Sequence, residues 1–72
     1  MRATIYIDTI ELFDEIRHMA DMAAVPNYPV HNMKEMRERL YDKPKLVIEG
    51  KAAQLAPFVF RVRQMGLTVT VD

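Results

Sequence analysis

Cysteine, serine and tryptophan are absent from the 72 residues, and glycine occurs only twice. Without cysteine there is no disulfide framework and no thiolate metal site, so the fold rests on packing alone and a reducing, cytoplasmic setting is expected. Lacking both serine and cysteine, and with histidine only at His18 and His31, the chain offers few nucleophile and base combinations. No glycine-rich phosphate loop is present. These gaps argue against an enzyme and leave no cofactor or metal to expect. No apolar run is long enough to cross a bilayer, and the N-terminus does not follow a signal-peptide pattern, so no membrane partner is expected.

Half of the residues are hydrophobic, which indicates one small globular domain over residues 1–72, close to the size at which a single core is barely sufficient. The formal net charge is zero, so nothing draws the chain as a whole to nucleic acid. The charges are nevertheless segregated. Residues 1–22 carry five acids against two bases, and residues 34–63 carry eight bases against four acids.

The alternation in Ala3-Thr4-Ile5-Tyr6-Ile7 predicts a first strand with Ile5 and Ile7 on its covered side. Asp8 or Thr9 is placed to cap a helix over about residues 10–24, whose inward stripe is Leu12, Phe13, Ile16, Met19, Ala20 and Ala23. Pro26 and Pro29 predict a rigid loop. Asn32, three residues before Glu35, has capping-box spacing for a second helix that ends near Tyr41 and exposes Lys34, Glu35, Glu38 and Arg39. Leu46-Val47-Ile48 reads as a central strand. The stripe Leu55, Phe58, Val59, Val62 and Met65 gives another helix, closed by Gly66 and followed by a strand through Leu67, Val69 and Val71. Pro57 would be harmless only in a first turn, so this helix is expected to start near Ala56 or to follow a separate turn. Three strands separated by helices predict an α/β fold of two layers. Its three-stranded parallel sheet would run in order 1-2-3 with the helices on one face. Thr4, Tyr6, Val47, Thr68 and Thr70 would lie on the bare face, a surface suited to a homodimer.

The run Pro26-Asn27-Tyr28, followed by His31-Asn32-Met33-Lys34-Glu35-Met36 and Arg37-Glu38-Arg39-Leu40, resembles the signature of the barstar family of small intracellular ribonuclease inhibitors. The likeness extends along nearly the whole chain, from Phe13 near the start of the first helix to the closing Thr68-Val69-Thr70-Val71. It implies a protein partner, with a nuclease as the family's target class. It also implies that Tyr28 and the helix acid Glu38 act at the interface, with Asn32 at the cap. Lys34 stands where the family has its first acid, and it would repel the basic cleft of a barnase-like ribonuclease. Together the residues and the resemblance point to an inhibitor or adaptor that blocks another protein through residues 25–41. Its candidate contacts are Asn27, Tyr28, His31, Asn32, Lys34, Glu35 and Glu38, with Glu49 added as a carboxylate at a strand end. The small size and lack of catalytic groups would suit a phage or mobile-element protein. A nucleic-acid module built on Arg37, Arg39, Lys43, Lys45, Lys51, Arg61 and Arg63 is one disfavoured alternative, because aromatic stacking partners are few and acids are interleaved, and a self-associating structural protein that pairs its bare sheet face is the other.

Overall fold

The computed structural model describes residues 1–30, 34 and 44–72. In chain order the described elements are β1 (Arg2–Tyr6), α1 (Ile10–Met22), β2 (Asn27–Pro29), β3 (Lys45–Glu49), α2 (Ala52–Gln64) and β4 (Thr68–Val71). The sheet has four strands in order β2-β3-β1-β4, and every neighbouring pair is antiparallel. This corrects the parallel three-stranded sheet expected from the sequence. Because β1 and β2 are both antiparallel to β3, they run parallel to each other with β3 inserted between them. In the same way β3 and β4 flank β1. Two interlocked split βαβ units result, the ferredoxin-like arrangement.

The overlooked strand explains the error. Asn27–Pro29 lies in what was expected to be loop, yet it pairs with Leu46–Ile48 of β3. The Val30 N–H donates to the Lys45 carbonyl at 3.1 Å, and the Glu49 N–H donates to the Pro26 carbonyl at 3.0 Å. Positions 26, 28 and 30 therefore turn their backbone groups toward β3, while 27 and 29 turn theirs outward. Pro29, having no N–H, sits where none is needed, at the free edge of the sheet. With only three strands visible, helical connections implied parallel neighbours, whereas with four each crossover skips a strand.

The apolar periodicity was a better guide to the core. Thr9 is the N-cap of α1, its hydroxyl accepting from the Leu12 N–H at 3.1 Å, and Asp8 is exposed. Phe13, Ile16 and Ala20 of α1 and Leu55, Phe58, Val59 and Val62 of α2 are buried against Ala3, Ile5, Leu46, Ile48 and Val69 of the sheet. Both described helices therefore cover the same face, with α1 over β2 and β3 and α2 beside β4. Four local expectations need correction. Met65 is 42 % exposed rather than inward. Ala23, the C-cap of α1, is exposed rather than part of its inward stripe. β1 is an inner strand rather than an edge. α2 is one continuous helix from Ala52 with Pro57 inside it. The Gln54 and Leu55 N–H groups share the Lys51 carbonyl at 2.9 and 3.0 Å, which starts the helix a full turn before the proline. The carbonyl that would have received an N–H from position 57 belongs to Ala53, an exposed residue, where solvent can replace the missing donor.

Candidate functional site on the open sheet face

Alternation along each strand assigns side chains to the face opposite the helices. One row runs across all four strands as Tyr28, Val47, Thr4 and Thr70, since Tyr28 pairs with Val47, Val47 with Thr4 and Thr4 with Thr70. A second row is Lys45, Tyr6 and Thr68, and a third sets Glu49 opposite Arg2. No described helix packs on this side. Tyr28 is 42 % exposed, Thr68 and Thr70 are exposed, and Thr4, Tyr6, Lys45 and Glu49 are half-buried. Val47, inside the first row, is buried.

The polar groups on this face are paired, one charge with another and two charges with tyrosines. The Tyr28 hydroxyl donates to Glu49 Oε1 at 3.0 Å. Arg2 Nε donates to Asp72 Oδ2, also at 3.0 Å. Asp72 is the main reason the Arg2 guanidinium titrates above its usual range, and Tyr28 adds to the effect. Both members of the Arg2–Asp72 pair are more than half exposed, so their attraction is screened and adds little to stability. At the other end of the face, Lys45 Nζ lies 5.5 Å from the centre of the Tyr6 ring, within cation–π range. Two open grooves adjoin these ends. One is bordered by Tyr6, Asp8, Gly66 and Thr68, the other by Met1, Arg2, Glu49 and Asp72.

Of the residues singled out from the sequence, Tyr28 and Glu49 are brought together. Asn27 is not part of their site, because its position opposite Ile48 places it on the core side. Its Nδ2 donates to Asp21 Oδ1 at 2.6 Å and to the Val25 carbonyl at 3.0 Å, tying β2 to the end of α1. Lys34 is helical and exposed. His31, Asn32, Glu35 and Glu38 lie outside the described residues. In a parallel sheet Asp8 and Glu49 would both stand at C-terminal strand ends. With β1 and β3 antiparallel, those ends point in opposite directions, and the two carboxylates belong to opposite ends of the sheet.

Arg2, Lys45 and Asp72 were missed as members of this face. The signal for Arg2 was present, since it continues the Thr4 and Tyr6 alternation one step toward the N-terminus. The same signal was present for Lys45 and Asp72, which continue the Val47 and the Thr68–Thr70 alternations by one step.

Among the described residues no group of three or more histidine, aspartate or glutamate side chains is placed to hold a metal ion. None of the helices there is long and apolar enough to cross a membrane. What the face presents is aromatic surface, threonine hydroxyls and balanced charge, a set suited to recognition. No protein-family model, curated protein or solved structure matches the chain.

Proposed function

We propose that this chain is a non-catalytic protein-binding domain, an inhibitor or adaptor that engages its partner through the open sheet face and residues 25–41. The observation that carries this reading is the exposed Tyr28 ring, held by Glu49 at the border of a face that no described helix covers. Tyrosine combines a large apolar ring with a hydroxyl and is favoured at protein interfaces, while paired charges of both signs give register and selectivity. The nuclease-inhibitor resemblance names one class of partner, and Lys34 argues against a barnase-like cleft within that class. Capture of partners from the native host, followed by binding measurements on Tyr28→Ala and Glu49→Ala, tests the proposal. Each substitution should weaken binding about tenfold or more while barely shifting the melting temperature. Unchanged binding in both variants would contradict it. For the nuclease class, ribonuclease inhibition that appears only in Lys34→Asp would show that the site survives with its charge redirected. Strong inhibition by the wild type would contradict the argument from Lys34.

One observation favours a second reading. Tyr6 lies on an inner strand of the open face with Lys45 beside its ring, and four-stranded sheets carrying such aromatics stack single-stranded bases. Glu49 and Asp72 share the face and offset its cations, which places this reading second. Saturable binding of a labelled single-stranded oligonucleotide at low salt, lost in Tyr6→Ala, would reverse the order.

A further inference from the structure

Among the described residues the two outer edges of the sheet are unpaired, and they differ in how they are defended. The β2 edge carries Pro29 at an outward position, whereas β4 is Thr68-Val69-Thr70-Val71, with no proline, no charge and no bulge. The Asp72 N–H donates to the Arg2 carbonyl at 2.9 Å, which fixes the phase of the β1–β4 ladder. Thr68 and Thr70 therefore turn their backbone groups toward β1, and Val69 and Val71 turn theirs outward. Among the described residues no strand pairs with that edge. Its outward groups are symmetric about Thr70, so the strand is its own complement. Under a two-fold axis at Thr70, Val69 lies opposite Val71 of a second copy. Both then offer outward N–H and C=O groups, and their side chains share the core face.

A second feature lies above the same edge. Arg63 Nη2 donates to the Val69 carbonyl at 3.0 Å, so that flank of α2 overhangs β4. Ala56, Phe60 and Arg63 are spaced i, i+4, i+7 and form one stripe on that flank. Phe60 is 64 % exposed and Val71 is 43 % exposed, two large apolar side chains left substantially open to solvent in the single chain. Pairing β4 with β4 of a second copy would set the two α2 helices side by side and bury Phe60 between them.

We propose that the chain self-associates as a two-fold dimer through antiparallel β4–β4 pairing, with Phe60 packed across the axis, leaving the open sheet face free for the partner. The interface is one short strand and one helix flank, so it belongs to the small, reversible class. Arg63, already on the Val69 carbonyl, partly shields the edge in the single chain.

Sedimentation of the intact chain from about 1 to about 500 µM reads the dimer by mass action. Val71→Pro removes an outward N–H that the β1–β4 ladder does not use, and Phe60→Glu places a charge on the axis. Each should raise the dissociation constant at least about tenfold, whereas Tyr28→Ala should leave it unchanged. Amide hydrogen exchange on the wild type supplies a readout that needs no variant, because the Val69 and Val71 N–H groups should slow as concentration rises. A monomer throughout the range would overturn the proposal. So would a dimer that ignores Val71→Pro and leaves the Val71 amide in fast exchange, with loss in Tyr28→Ala pointing instead to pairing through the open face.

Discussion

Ala24 has a φ of 56°, a conformation in which Cβ crowds the following carbonyl and which glycine adopts without that cost. It is held there by the end of α1. The Val25 N–H reaches the Ala20 carbonyl at 2.8 Å and the Ala24 N–H reaches that of Asp21 at 3.1 Å, the paired bonds of a Schellman turn. Gln54 of α2 adds a bond from Nε2 to the Ala24 carbonyl at 3.1 Å. Ala24→Gly should relieve roughly 1 kcal/mol of strain and return part of it as unfolded-state entropy, for a net gain of about 0.5 kcal/mol and a melting temperature about 3 °C higher. Gly66, at φ 88°, ends α2 in the same region, and a Cβ there would meet no neighbouring atom. Gly66→Ala should therefore cost about 1 kcal/mol through the backbone alone. Thermal melts of the two variants check both signs. The cap at Gly66 was readable from the sequence because glycine advertises the conformation. Ala24 was not, because alanine in a left-handed cap follows from where Val25 must be buried and not from its own preference.

Among the elements, α2 and β2 show how proline misleads in opposite directions. Pro57 was expected to start its helix or follow a separate turn, and it lies inside, on an exposed side of the helix. Pro57→Ala should restore one backbone bond and stabilise the domain by about 1–2 kcal/mol, after allowance for the freer unfolded chain. Denaturant midpoints measure this, and no change would mean that the helix has already relaxed around the ring. Pro29 was expected to lie in a rigid loop, and it marks an edge strand. The stripes at i, i+3 and i+4 located α1 and the buried side of α2 because burial acts on side chains one by one. Strand direction depends on how many strands the sheet has, so one hidden strand of three residues changed the topology. Phe13 is fully buried at the centre of the α1 stripe. Phe13→Ala should cost about 3–5 kcal/mol, a large part of the roughly 4–11 kcal/mol available to a domain of this length. Loss of a cooperative unfolding transition would be the observation.

At the scale of the whole molecule, the sheet divides the described chain into a packed side and a polar side, and the latter is the surface proposed for the partner. The helix side holds Phe13, Ile16, Leu55 and Val62 with no exposure, while the opposite side holds the Tyr28–Glu49 and Arg2–Asp72 pairs in reach of solvent. That two-sidedness was legible in the Thr4–Tyr6 and Thr68–Thr70 alternations even though the strand order was not, because alternation does not depend on which strand is the neighbour. Membership of the site was only half legible. Tyr28 and Glu49 were both selected, but their meeting depends on the β2–β3 register, and Asn27, selected with them, turns to the other face. The central claim is that the open sheet face is the partner surface. Amide and side-chain chemical shifts of the chain, recorded with and without a captured partner, test this most directly. Changes concentrated on Thr4, Tyr6, Tyr28, Lys45, Val47 and Glu49 are the result the account requires, and changes confined to the outer sides of α1 and α2, with those six residues unmoved, would contradict it.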